Sequence, residues 1–126
     1  MKKLSVLLLF AASLFSCDDN NPEAETFEVG LDVQASFEQD DVKVYIDNQE
    51  LINETLQTNH SLGVCPEARK TINLSEGSHV IEVTVNETIS ETEVFLVTKK
   101  VYIGVQFDQS NNTISFVYAN ERFMYD

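Results

Sequence analysis

From Thr26 onward apolar and polar residues alternate with a period of two, a rhythm that belongs to strands with one buried face. Phe27, Val29, Leu31, Val33, Ala35 and Phe37 interleave with Glu28, Asp32, Gln34 and Ser36. Successive side chains of a strand point to opposite faces, so this pattern buries one side and wets the other. Val42, Val44 and Ile46 point one way, with Lys43 and Tyr45 on the other side. Asp47-Asn48-Gln49-Glu50 follows as a turn, because Asn and Asp tolerate left-handed backbone angles, and Leu51 to Thr58 runs back antiparallel. Asn59 to Arg69, with Gly63 and Pro66, is the least regular stretch and reads as a loop crossing between sheets.

The second half repeats the theme. Lys70 to Leu74 is a short strand and Ser75-Glu76-Gly77-Ser78 a tight turn. Ile81, Val83 and Val85 lead to a break at Asn86-Glu87-Thr88. Glu91 to Thr98 carries Val94 and Leu96 on one face. Val101, Ile103, Val105 and Phe107 face a core, Asp108 to Asn112 turn the chain, and Ile114, Phe116 and Tyr118 return it. Apolar residues never hold helical spacing over three turns, and β-branched residues are dense.

These segments predict an all-β fold, a single antiparallel immunoglobulin-like β-sandwich of about 7–8 strands over residues 26–126. Strand count does not separate it from a barrel. With no tryptophan and no cysteine pair to cross-link two sheets, the likeness is to looser relatives of antibody domains. Val44-Tyr45-Ile46-Asp47-Asn48-Gln49-Glu50-Leu51, with Leu74-Ser75-Glu76-Gly77-Ser78-His79-Val80-Ile81-Glu82-Val83, resembles the PEGA-type surface-layer module. There a strand with an Asp turn precedes a Gly turn and a strand beginning with His. The resemblance covers residues 42–86, lacks the namesake tetrapeptide, and implies a sandwich rather than an activity.

The first sixteen residues, MKKLSVLLLFAASLFS, place Lys2 and Lys3 before an apolar run from Leu4 to Phe15. That is a secretory signal layout, too short for the ~20 apolar residues of a bilayer span. Leu14-Phe15-Ser16-Cys17 resembles the lipobox of bacterial lipoproteins. The resemblance implies cleavage before Cys17, a diacylglyceryl thioether on that cysteine and an acylated (palmitate-type) new N-terminus. Several acyl chains on one residue hold a protein firmly, whereas one does not. Residues 17–25, CDDNNPEAE, read as a solvated acidic tether. They resemble the acidic stretch that marks surface-exported lipoproteins of Bacteroidota. Asp18 is an inner-membrane retention signal in enterobacteria, so the destination depends on the organism, and the outer membrane is the expected one.

The chain carries a formal charge of −13. All 21 acidic residues follow residue 16 while two of the eight basic ones precede it, so cleavage leaves 110 residues at −15. Such a surface argues against nucleic acid and against adsorption to anionic headgroups. It suits an extracytoplasmic domain that repels its neighbours. Cys65, in Gly63-Val64-Cys65-Pro66, is expected to be a small buried residue; no second cysteine besides Cys17 exists to pair with it.

No catalytic residue, cofactor or metal ligand set emerges. His60 and His79 are the only histidines, and zinc wants three or four clustered ligands. Asp40-Asp41 reads as a turn between strands, without the loop motif of a calcium site. Glu87, Glu91 and Glu93 read as a solvated strand face. No Gly-x-Ser-x-Gly or phosphate-cradling glycine loop occurs. Aromatic residues offer the better binding candidates: Tyr45 and Tyr102 stand opposite their strands' apolar sets, and Tyr118, Phe123 and Tyr125 crowd near the C-terminus. Their alternative role is to cover the sandwich, with the C-terminal tail packed along an edge.

Three functions fit this pattern. The preferred one is a non-catalytic envelope lipoprotein, held to a membrane by lipid on Cys17, that presents its domain to a protein partner or supports a surface complex. The second is a glycan-binding lipoprotein of a nutrient-uptake system with a tyrosine platform. The third is a small hydrolase or inhibitor whose site leaves no motif. Coplanar exposed tyrosines would favour the second, an open sheet edge or apolar patch the first, and a cleft with paired carboxylates the third.

Overall fold

The computed structural model describes residues 25–125 as two four-stranded sheets packed face to face. The signal segment, Cys17 and the tether through residue 24 lie outside the described residues. The strands are β1 Thr26–Val33, β2 Glu38–Ile46, β3 Gln49–Gln57, β4 Arg69–Ser75, β5 Gly77–Val85, β6 Ile89–Val97, β7 Val101–Asp108 and β8 Thr113–Ala119. The first sheet has the order β4-β1-β7-β8 and the second β3-β2-β5-β6. The immunoglobulin-like sandwich expected from the alternation is present, with eight strands. Its chain order departs from that of antibody constant domains, whose first two strands share a sheet; here β1 and β2 lie in opposite sheets.

One pairing differs from the all-antiparallel expectation. β1 and β7 run parallel, from Val29 opposite Val101 to Val33 opposite Val105. A period of two marks a half-buried strand in either orientation, so alternation carried no information on direction. The pairing continues past β1, where Gln34 N–H donates to Val105 O (2.8 Å) and Ser36 N–H to Phe107 O (2.8 Å).

The four central strands supply the core. Val29, Leu31 and Val33 of β1, Val42, Val44 and Ile46 of β2, Ile81, Val83 and Val85 of β5, and Ile103, Val105 and Phe107 of β7 are all buried. Each such side chain contributes about 1.5–3 kcal/mol relative to exposure. Phe37, just beyond β1, stacks on Phe107 with ring centroids 5.6 Å apart.

Hairpin turns follow from local chemistry. Asp47 and Asn48 (φ 52° and 68°) join β2 to β3; Asn86 and Glu87 (φ 53° and 63°), closed by Thr88 N–H to Val85 O, begin the three-residue link from β5 to β6. Two positive φ angles in a two-residue turn match the right-handed twist of the flanking strands. Between β7 and β8 the Asp108 carboxylate accepts from Ser110 N–H (2.9 Å) and the Ser110 hydroxyl (2.7 Å).

Asp40-Asp41 does not form a turn. Both lie within β2, beside a bulge at Gln39 (φ 60°). Asp40 is buried because its carboxylate accepts from Glu38 N–H (2.8 Å), Asn86 Nδ2 (2.8 Å) and Gln109 Nε2 (2.7 Å). Two of those donors come from distant turns.

Residues 58–68 cross from β3 to β4, as the loop reading anticipated. They are tied down by Val33 N–H to Ala68 O (3.1 Å) and Cys65 N–H to Val33 O (2.7 Å). The buried Thr58 hydroxyl accepts from Phe37 N–H (2.7 Å) and donates to Gln34 O (2.8 Å). The tail after β8 does not follow an edge. It crosses the outer face of the first sheet, with Arg122 reaching Glu28 of β1 and Tyr125 reaching Asp32.

Candidate functional site

The aromatic candidates are dispersed. Tyr45 lies on the outer face of the second sheet, where its hydroxyl donates to Glu50 (3.1 Å). Tyr102 lies on the outer face of the first, 5 % exposed, donating to Glu28 (2.6 Å). No single platform contains both. The Tyr102 ring covers Gly30, where a Cβ would collide with it, and the Arg122 guanidinium sits 5.4 Å above the ring centre. Tyr125 donates to Asp32 (2.7 Å), accepts from Gln34 Nε2 (2.9 Å) and stacks under Arg69 at 5.1 Å. Burial and the Asp32 bond push its phenol up to about 12. Phe123 is half-buried in the same tail, and Met124 beside it is exposed.

His79 and Asp47 join the β2–β3 turn to the start of β5. His79 Nδ1 meets Asp47 Oδ2 at 2.5 Å, and Nε2 meets the Ser75 carbonyl at 2.7 Å. The other Asp47 oxygen accepts from Val80 N–H (3.0 Å). Burial pulls the imidazole pKa down, but the bonds to Asp47 and Ser75 and the Asp47 charge outweigh it and leave it raised. Burial likewise pushes Asp47 up, and the His79 and Val80 bonds overcome it and leave it lowered. The pair pins the β2–β3 turn to the corner between β4 and β5, a structural use of both residues.

His60, in the crossing loop, is exposed and bonds Glu38 at 2.7 Å. Cys65 is fully buried, with its sulfur 3.6 Å from the Thr58 hydroxyl and from Gln34 O. Burial raises its thiol pKa, opposite to what a nucleophile needs. An open hollow of about 630 Å³ near the β7–β8 turn is lined by Ser36, Gln106, Asp108 and Ser110. Asp108 is its one carboxylate, held low by bonds from Ser110 and Asn111. Among the described residues no group of three or more His, Cys, Asp or Glu is placed to hold a metal.

The sheet edges differ more sharply. An edge strand leaves one row of backbone N–H and C=O groups unpaired, and proteins guard such rows with inward-pointing charges. β3 has Glu54 between the buried Ile52 and Leu56. β4 has Lys70 on the same side as Ile72 and Leu74. β6 has Glu91 and Glu93 on the side of Phe95 and Val97. β8, Thr-Ile-Ser-Phe-Val-Tyr-Ala, has no charge, proline or glycine.

β8 also lies beside β6, each being the last strand of its sheet on that side. Between them Tyr118 packs on Phe95 at 6.2 Å and donates its hydroxyl to Glu93. Burial and that bond raise the Tyr118 pKa. Exposed apolar side chains lie on the outer faces beyond this seam: Val94 (65 %) and Leu96 (63 %) of β6, with Val80 (40 %) paired to Val94 from β5, face outward from the second sheet, and Val117 (39 %) of β8 faces outward from the first. The apolar positions of β6 and β8 were legible in the sequence. That β8 is an edge was not, since edge status depends on sheet order. Compared with known proteins, the chain matches no family model, no curated sequence and no solved structure.

Proposed function

We propose that this chain is a non-catalytic lipoprotein of the cell envelope, anchored through lipid on Cys17 with the outer membrane as its expected site. It binds a protein partner by accepting an extended strand at β8. The observation that carries this reading is the open, uncharged β8 edge, with Val117 exposed on its outward face. Strand addition takes its affinity from main-chain hydrogen bonds and needs only such an edge. The anchor rests on the Leu14-Phe15-Ser16-Cys17 lipobox likeness and fixes where the edge is presented.

Site-specific photo-crosslinking in the cells that make the protein tests the binding. A crosslinker at Ser115 of β8 is expected to give a discrete protein adduct, and one at Asn53 of β3 none. Val117→Lys, which adds a charge to the edge, is expected to abolish the adduct. An adduct of equal yield from both positions, or one that survives Val117→Lys, overturns the reading. For the anchor, labelled palmitate is expected to enter the wild-type chain and not Cys17→Ala.

A further inference from the structure

We infer that the strand received at β8 is basic on its inward side and apolar or β-branched on its outward side. This rests on the strand-addition reading above and names the chemistry of the partner. A strand added to β8 runs about 4.7–4.9 Å beyond it, and alternate side chains of that strand point to opposite faces. Its inward side chains enter the gap between the sheets, alongside β6.

There they meet Glu93, whose carboxylate already reaches across the gap to the Tyr118 hydroxyl of β8. They also meet Glu91, two residues earlier on the same face of β6. Both carboxylates are exposed, and among the described residues neither has an ion-pair partner. Lys or Arg on the incoming strand answers them. An uncharged side chain leaves them unpaired, and an acidic one is repelled. On the outward side the neighbours are Thr113, Ser115 and Val117 of β8, with Val117 39 % exposed. Val, Ile or Thr packs best there, because cross-strand pairs of β-branched residues stabilise a sheet.

The same charges disfavour a second copy of this chain as occupant. Pairing β8 with β8 would bring two sets of Glu91 and Glu93 to one seam, between chains of net charge −13 each. The partner is therefore a different protein that offers an extended segment of alternating basic and β-branched residues.

Capped synthetic peptides as long as β8 test this on the soluble domain fused to its tether. One alternates lysine with threonine and valine; a second has glutamine for each lysine; a third has the first one's residues in blocked order. Amide hydrogen exchange of Thr113–Ala119 reports strand addition, and titration reports affinity. The alternating basic peptide is expected to slow exchange across β8. Its affinity is expected to fall about threefold in Glu93→Gln and about tenfold in Glu91→Gln/Glu93→Gln, the scale of exposed ion pairs. If the glutamine peptide protects β8 equally well, the basic requirement is wrong while strand addition stands. If no peptide protects β8, both readings fall. If the blocked peptide binds as tightly as the alternating one and leaves β8 unprotected, attraction is mere net charge and the inference fails.

Discussion

At the β3/β4 side the chain itself passes from one sheet to the other, and residues 58–68 bring Thr58, Val64, Cys65 and Ala68 into the interior. At the opposite side β6 and β8 lie next to each other, joined by the Phe95–Tyr118 contact and the Tyr118–Glu93 hydrogen bond. Both of the first side's edge strands carry charge within the strand, Glu50 and Glu54 on β3 and Arg69 and Lys70 on β4. The second side leaves β8 bare. The contrast teaches that one small sandwich can guard the edges on one side with charge and leave an edge on the other side without it. A guarded edge resists pairing with other chains, and an unguarded one invites it.

The largest effect should come from the closed side. Leu56→Ala removes a side chain 1 % exposed on β3, and chemical denaturation is expected to show a loss of about 2–5 kcal/mol. A cost no greater than that of Val94→Ser on the outer face of β6 would break the comparison. Next is Thr58→Val, which keeps the shape but strips the hydroxyl that bridges Phe37 N–H and Gln34 O. Leaving those groups buried without a partner is expected to cost about 1–3 kcal/mol, with Thr58→Ser recovering most of it.

A smaller effect, and a pH-dependent one, is expected at the His79–Asp47 pair. The folded imidazole pKa is raised above its ordinary value of about 6.5 by Asp47 and the Ser75 carbonyl, against burial. Its contribution to stability is therefore complete below that value and lost as pH rises through the folded pKa. Asp47 is lowered, so its contribution is present above about pH 4 and lost in stronger acid. The fall in melting temperature caused by Asp47→Asn should be greatest between about pH 4 and 6.5 and shrink in alkali. A difference that grows with pH would exclude the charged pair. The smallest effect is expected at the open side: Val94→Ser, at a 65 % exposed position, should change stability by less than about 0.5 kcal/mol.

The strands were legible because their signal is local. Val42, Val44 and Ile46, or Ile103, Val105 and Phe107, announce a buried face within five residues, and those faces are the core. Turns at Asp47-Asn48 and Asn86-Glu87 were legible for the same reason. What escaped depends on partners far along the chain. Asp40 looked like turn chemistry beside Asp41, yet donors from Asn86 and Gln109 bury it. The tail's path was hidden because Arg122 and Tyr125 find their carboxylates 94 and 93 residues upstream. Of the site, Ile114, Phe116 and Tyr118 could be seen as one face of a strand, but the edge itself appears only when eight strands are ordered into two sheets.

The parallel pairing of β1 with β7 sets which way β8 runs relative to the chain's entry into the domain. β1 leads away from the end where the chain enters the domain and β7 runs with it, so β8, antiparallel to β7, returns toward that end. Its seven residues form a rail about 23 Å long. A partner strand docked on β8, β7's neighbour in the sheet, brings its parent protein alongside the domain rather than onto the end where the chain enters β1.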